Sequence, residues 1–174
     1  MTKFIYSFGA GTAEGSITDK PLLGGKGAGL AEMSRLGLPV PPGCTITTEV
    51  CRSFFQNDGT WPENFEHELR EALILLETRT EKKLGSSEAP LMVSVRSGAP
   101  VSMPGMMDTV LNLGLNDETV VALAQKSNNE RFAFDAYRRF VKMFGDIVLN
   151  IHYSRFPRVE AAVVTSSFFF FRGF

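Results

Sequence analysis

A lysine set among glycines is the first residue in this chain that could do chemistry. Lys26 lies in the run LLGGKGAGLAEM at residues 22–33, which predicts entry into a helix that ends near Gly37. The first turn of a helix presents unpaired N–H groups and a positive dipole end, so a phosphate is a natural ligand there. The glycines at 27 and 29 each weaken a helix by about 1 kcal/mol, which makes more sense where a backbone meets a ligand closely. The pattern favours a phosphate site, and a flexible turn with a solvated lysine is the alternative.

The spacing around this lysine differs from two known nucleotide-binding motifs. Lys26 is followed by Gly27 rather than by Ser or Thr, and Lys20 stands where a Walker A loop has its leading glycine. The glycines at 9 and 11 do not complete a dinucleotide fingerprint either, because the third glycine, Gly15, comes one position late. The segment therefore predicts a phosphate site without belonging to either motif.

Arg96 is the second candidate, because it follows a predicted buried strand at residues 91–95. A loop rich in Ser, Gly and Pro comes next, and a second strand is predicted at residues 109–113. A guanidinium is always charged and offers five donors in a planar fork that suits phosphate or carboxylate. Two strands joined by a loop that begins at Arg96 would place the positive charge of this arginine beside an anionic ligand. A salt bridge or a clamp on backbone carbonyls is the alternative for this arginine.

The loop after Arg96 contains three methionines, Met103, Met106 and Met107, around Pro104 and Gly105. Methionines commonly fill gaps in a hydrophobic core. Pro and Gly could instead shape a backbone that approaches a ligand, with methionine side chains against a flat apolar group such as a purine. Composition does not choose between these two interpretations.

Hydrophobic periodicity predicts alternating strands and helices around these candidates. The predicted strands are 4–8 and 44–48 in addition to the two above, and the predicted helices are 22–36, 49–56, 62–84, 117–126 and a long one from Asn129. His67, among glutamates, is predicted to face solvent. The buried face of the last helix is predicted to contain Phe132, Ala136, Phe140, Met143, Phe144 and Ile147. Its outer face, with Arg131, Arg138, Arg139 and Lys142, is interpreted as solvated, and a partner-domain surface is the alternative.

Length and charge describe an ordinary globular protein. The 174 residues are enough for one domain with its own core, and 18 basic residues offset by 19 acidic ones, without a basic block, argue against a general nucleic-acid binder. Cys44 and Cys51 match no paired zinc or redox spacing, so we expect reduced thiols. No signal or transit segment begins the chain and no stretch is long enough for a bilayer, so we expect a cytoplasmic protein without membrane contact.

The C-terminal stretch differs in character from the rest of the chain. Four consecutive phenylalanines, Phe168 to Phe171, follow an apolar run at 161–164 and would form an exposed sticky patch at a free end. We expect residues 1–157 to form a partial N-terminal nucleotide-binding domain. Residues 158–174 are expected to be a tail outside that domain, and not authentic coding sequence.

Five segments together resemble one known family. LLGGKGAGLAEM, GLPVPPGCTITTEVC, VSVRSG, SMPGMMDTVLNLGLND and RFAFDAYRRFVKMFGDIVL are similar, in the same order, to the N-terminal nucleotide-binding part of pyruvate, phosphate dikinases. The resemblance runs from about Phe4 to about Ile151, and the Met-Pro-Gly-Met-Met-Asp-Thr run is its most specific part. It implies an α+β fold, namely the first and incomplete lobe of an ATP-grasp-type domain that binds Mg-ATP.

The resemblance also implies an activity and roles for particular residues. Enzymes of this family interconvert ATP, pyruvate and phosphate with AMP, phosphoenolpyruvate and diphosphate through a phosphohistidine on a mobile carrier domain, and a homo-oligomer is expected. Phosphate-contacting roles would fall on Lys26 and Arg96, and the loop that closes over the triphosphate on Gly105, Met106 and Met107. Ligands for Mg²⁺, the carrier histidine and the pyruvate-binding domain are expected outside this chain, so we expect it to be inactive alone.

Departures from the family pattern keep two alternatives open. Gly29 stands where the family commonly has Asn, so the first helical turn is expected to be looser. Neither His67 nor His152 has the sequence setting of the carrier histidine. The alternatives are a phosphoenolpyruvate synthase-like or other swivelling phosphotransferase, and a non-catalytic module that keeps the fold for partner binding.

Overall fold

The computed structural model describes residues 2–97 and 109–151. The strands are β1 Ile5–Gly9, β2 Thr12–Ala13, β3 Gly43–Ile46, β4 Lys83–Leu84, β5 Pro90–Leu91, β6 Val93–Arg96 and β7 Thr109–Leu113. The helices are α1 Lys20–Arg35, α2 Thr48–Gln56, α3 Phe65–Thr80, α4 Asp117–Ser127 and α5 Glu130–Ile147, and a short 3-10 helix covers Ile17–Asp19. The chain is therefore a mixed α/β structure.

The strands form small sheets. Three of them make an antiparallel sheet in the order β2-β1-β3, while β4 pairs with β5 in parallel and β6 pairs with β7 antiparallel. The elements pack as two groups, the first built from α1–α3 on the three-stranded sheet and the second from α4 and α5 on β5 and β7. The N–H of Leu84 in β4 donates to the Glu77 side chain in α3 at 2.9 Å, which ties the end of the first group to the start of the second.

The first group is held by a small core and by a buried hydrogen bond between α1 and β1. Ile5, Val50 and Phe65 are buried together between β1, α2 and α3. Ser34 in α1 is fully buried, and its hydroxyl accepts from the Gly9 N–H at 3.1 Å. A buried backbone N–H without a partner costs free energy, so this contact fixes α1 on the end of β1.

The second group is a helical pair that supports the β6–β7 hairpin. Val110 of β7, Leu115 and Phe140 of α5 form its main buried cluster. The Asn116 side chain caps α4 by accepting from two N–H groups of its first turn, and the Tyr137 hydroxyl donates to Asp117 at 2.8 Å. Burial and that hydrogen bond raise the pKa of Tyr137 to about 12, so the phenol stays a donor even in mildly alkaline solution.

Most of the predicted elements are confirmed, and the differences have local causes. The predicted helix at 62–84 is too long, because left-handed residues at Asn64 and Glu81 bound the observed α3. The strand predicted at 91–95 is interrupted at Met92, which separates β5 from β6. The turn-rich loop at 9–19 contains the short strand β2, which pairs with the end of β1.

The predicted buried face of α5 is confirmed in part, because Phe140 is buried, Ala136, Met143, Phe144 and Ile147 are half-buried, and the first position is exposed. Phe132 is 54% exposed, whereas Ala133 is completely buried against α4. An alanine lets two helices approach closely, so α4 packs on that side of α5 and leaves Phe132 outside. The four basic residues of the outer face and His67 are exposed, as predicted.

Three further expectations concern the two cysteines, membrane spans and the C-terminal residues. Cys44 and Cys51 are free, and burial raises the pKa of the Cys44 thiol. No described helix combines the length and apolar character needed to cross a membrane. Residues 158–174, with the four phenylalanines, lie outside the described part of the chain.

We expect Thr47→Val to stabilise the protein by about 1 kcal/mol, because it removes a buried hydroxyl that forms no hydrogen bond. Thr47 is 2% exposed, and its Oγ1 has no partner within the described residues. Urea unfolding measures the change in the free energy of unfolding.

Thr119→Val is the matched control, because Thr119 is equally buried but fully bonded. Its Oγ1 accepts from the Asn116 N–H at 2.7 Å and donates to the Gly114 carbonyl at 3.0 Å. That variant should lose roughly 1–3 kcal/mol of stability. Equal losses in the two variants would show that the Thr47 hydroxyl has a partner after all.

Candidate functional site

Helix α1 is broken at Gly24, two residues before the candidate lysine. Gly24 has φ 69° and ψ 168°, a conformation that only glycine adopts readily. The helix therefore consists of a short segment at 20–23 and a second segment from Gly25 to Arg35. A helical segment that begins after such a break leaves its first N–H groups without intrahelical acceptors. The break creates a helix N-terminus directly beside Lys26.

One face of this second segment is open around Lys26. The Lys26 side chain is exposed. A Cβ at Gly25 would meet only the Lys20 side chain, at 3.9 Å, and a Cβ at Gly29 would meet nothing within 4 Å. Positions four apart lie on the same face of a helix, so the two glycines share one face, and Lys26 lies beside that face, about 60° around the helix from Gly29. A ligand could therefore reach the backbone and the lysine charge from one direction.

Gly27 has a different role, because it faces the sheet. A Cβ there would lie 2.6 Å from Cγ2 and 2.9 Å from Oγ1 of Thr45 in β3. Such distances are far below van der Waals contact, so only glycine lets the helix approach the strand this closely. Packing explains Gly27 and backbone conformation explains Gly24, but neither explains Gly25.

The start of α2 contacts the other side of the break. The Thr48 hydroxyl donates to the carbonyl of Pro21 at 2.8 Å. Thr45 and Thr48 therefore contact α1 on both sides of Gly24. The sequence interpretation missed both threonines, since it treated 44–48 only as a strand. For Thr48 the available signal was a hydroxyl residue at a helix start, a position that favours side-chain bonds to backbone, whereas nothing in the sequence indicates that Thr45 packs on Gly27.

Arg96 lies at the end of β6, as predicted, and its side chain is exposed. It pairs in register with Thr109, the first residue of β7. Both ends of the loop between the two strands are therefore adjacent to the arginine. The hairpin is anchored because Val110 is buried against Phe140 of α5. The last helix of the described chain thus supports the second candidate cation.

The structure places the two candidate cations in different packing groups. Lys26 belongs to α1 in the first group and Arg96 to β6 in the second. Their convergence on one ligand stays a prediction. Gly105, Met106 and Met107 lie outside the described residues.

An open groove elsewhere on the surface is not the predicted site. It has a volume of about 680 Å³ and lies at the start of α3, between Trp61 and Arg70. The Trp61 ring packs on Phe54 with centroids 4.2 Å apart. Neither Lys26 nor Arg96 lines this groove. Within residues 2–97 and 109–151, no group of three or more His, Cys, Asp or Glu side chains is arranged to hold a metal ion.

The mixed α/β elements and the glycine-broken helix are consistent with a partial nucleotide-binding domain. Residues 20–64 match the family model described as pyruvate phosphate dikinase, AMP/ATP-binding domain. The matched range contains the break at Gly24, the open face around Lys26 and both threonines that contact α1. The geometry around Lys26 therefore lies in the part of the chain that the family model matches, whereas Arg96 and its hairpin lie outside it.

Curated relatives extend the similarity to most of the chain. A pyruvate, phosphate dikinase of Rhizobium meliloti is 52% identical over 159 residues, which is 91% of this chain and 18% of the relative. The corresponding protein of Entamoeba histolytica is 56% identical over 147 residues, 84% of this chain and 16% of the relative. The chloroplastic protein of Flaveria trinervia is 54% identical over 154 residues, 88% of this chain and 16% of the relative. The chain is similar to these pyruvate, phosphate dikinases over most of its own length, and it spans less than a fifth of the length of these relatives.

Proposed function

We propose that this chain is the first lobe of an ATP-grasp-type domain that binds ATP for a pyruvate, phosphate dikinase. The overall reaction would interconvert ATP, pyruvate and phosphate with AMP, phosphoenolpyruvate and diphosphate. A histidine on a separate carrier domain and inorganic phosphate would together take the two terminal phosphoryl groups of ATP, which gives phosphohistidine, diphosphate and AMP. The phosphohistidine would then transfer its phosphoryl group to pyruvate. Both the carrier and the pyruvate-binding domain would come from sequence outside this chain.

The observation that carries this proposal is the open glycine face beside Lys26. Gly25 lies in the first turn of a helix, where packing and backbone conformation do not require a glycine. A glycine costs a helix up to about 1 kcal/mol relative to alanine. Close approach of a polyanion to the helix N–H groups would explain why a glycine occupies this position despite its cost. The matching family model is described as an AMP/ATP-binding domain, which favours an adenine nucleotide as the polyanion.

The chemistry proposed for the two cations is charge neutralisation. In phosphoryl transfer the protein mainly positions the phosphates and stabilises negative charge on the transferring and leaving oxygens. Lys26 would supply a point charge at the helix start, and Arg96 would supply two parallel donors from the hairpin end. Neither residue would form a covalent bond with the nucleotide.

Magnesium would bind this site together with ATP and would supply positive charge that offsets the negative charge of the phosphates. The described residues provide no carboxylate cluster to hold it alone. We propose that protein ligands for the ion come from the second lobe, outside this chain. The residues described here would contact the phosphates rather than the metal.

Titration calorimetry of the 174-residue chain with Mg-ATP tests the proposal. We expect Lys26→Ala to weaken binding roughly 10- to 100-fold, because a charge-assisted hydrogen bond contributes about 1.5–3 kcal/mol. Lys126→Ala is the matched control, since Lys126 is also an exposed helical lysine but lies on α4 in the other packing group. Equal affinities for wild type and Lys26→Ala would contradict the proposed site, and absence of binding by the wild type would contradict the proposed function of this lobe.

A further inference from the structure

The Thr48 hydroxyl occupies an acceptor that an unbroken helix would use internally. In a continuous α-helix the carbonyl of Pro21 would accept from the N–H of Gly25, four residues later. Gly24 lies inside the ring that this hydrogen bond closes, and its φ of 69° and ψ of 168° are incompatible with closing it. The Pro21 carbonyl accepts instead from Thr48 Oγ1 at 2.8 Å.

We infer that Thr48 is a positioning residue for the nucleotide site: the backbone at Gly24 leaves the Gly25 N–H available to a phosphate oxygen, and the Thr48 hydroxyl stabilises that broken conformation by satisfying the Pro21 carbonyl. The inference rests on the proposed function for the identity of the ligand. The positioning itself rests on the hydrogen bond and on the backbone at Gly24.

A second contact, between Thr45 and Gly27, holds the helix on the other side of Gly24. Thr45, three residues before Thr48, packs directly on Gly27 at the other side of the break. Both threonines belong to one continuous stretch in which β3 leads into α2, and β3 is paired with β1 along four residues. A glycine-rich backbone is the most mobile kind of chain, so it needs contacts on both sides to hold one conformation. Thr48 supplies the contact before the break and Thr45 the contact after it.

Three threonine variants of the 174-residue chain test the inference. Thr48→Val removes the hydroxyl and keeps the shape, whereas Thr48→Ser keeps the hydroxyl. Thr78→Val is a matched control, because the Thr78 hydroxyl also donates to a backbone carbonyl, that of Ile74, at 2.8 Å on an exposed helix surface. Circular dichroism checks that all three variants keep the fold.

The first readout is made without any ligand. In proton–nitrogen correlation spectra we expect the amide resonances of Gly25 and Lys26 to move in Thr48→Val, and to stay near the wild-type positions in Thr48→Ser and Thr78→Val. Unchanged resonances in Thr48→Val would overturn the inference. Because no nucleotide is present, this result is independent of the proposed function.

The second readout is affinity for Mg-ATP and for inorganic triphosphate, which lacks the nucleoside. We expect Thr48→Val to bind both roughly 3- to 10-fold more weakly than the wild type, with Thr48→Ser and Thr78→Val near the wild type. Equal binding by Thr48→Val and wild type, or equal losses in the Val and Ser variants, would overturn the role of the hydroxyl. If the wild type bound neither probe, the proposed function would fail and the amide resonances alone would decide the positioning role.

Discussion

Lys26→Ala and Arg96→Ala are each expected to slow phosphorylation of the carrier histidine by roughly 100-fold or more. Removing one preorganised donor from a developing negative charge typically costs that much, because the site loses stabilisation that is strongest in the transition state. The measurement needs the carrier and pyruvate-binding domains that are proposed to lie outside this chain. A chimera in which this chain replaces the aligned 159-residue stretch of the Rhizobium meliloti relative would supply them. Transfer of the labelled phosphoryl group from ATP to the protein gives the rate.

Two controls make this experiment specific. Lys126→Ala removes an exposed helical lysine from α4 and should leave the rate unchanged. Arg96→Lys keeps the charge but loses the planar fork, so we expect an intermediate rate if the arginine binds phosphate through two donors. Rates near the wild type in both alanine variants would contradict the assignment of the two cations.

Two glycine substitutions in the same helix should change stability in opposite directions. Gly27→Ala should lower the free energy of unfolding by about 1–3 kcal/mol, because the new methyl group would overlap Thr45. Gly29→Ala should raise it by up to about 1 kcal/mol, since nothing lies within 4 Å and alanine is the better helix former. Urea unfolding of the two variants measures both effects.

Opposite changes in stability at Gly27 and Gly29 would be more informative than either change alone. Gly27 and Gly29 lie two residues apart in one helix, so a general change in helix propensity would affect both in the same direction. Stabilisation by both substitutions would mean that α1 does not pack on β3 as closely as the structure shows.

The segments that sequence alone predicted best are those whose signals are local. The strand predicted at 109–113 is observed as Thr109–Leu113, because a short β-rich run is bounded by a glycine and turn residues. The last predicted helix begins at its Asn129 cap, as expected. Alternating apolar residues and capping residues are properties of neighbouring positions, so they can be read without knowing the rest of the fold.

The features that sequence did not predict depend on contacts between distant segments. The conformation of Gly24 follows from where β3 and α2 hold the chain, and Thr48 reaches Pro21 across 27 residues of sequence. The exposure of Phe132 follows from where α4 packs, and periodicity within α5 alone carries no such information. For the site, Lys26 and Arg96 were identifiable from residue type and setting, whereas the reason for each glycine beside Lys26 became clear only from its neighbours.

A crystal structure of the chain with a non-hydrolysable Mg-ATP analogue would test the central claim most directly. We predict that Nζ of Lys26 and the guanidinium of Arg96 both lie within hydrogen-bond distance of phosphate oxygens on the same nucleotide. A bound nucleotide whose phosphates contact neither side chain, or only one of them, would contradict the claim that these two cations share one polyanion.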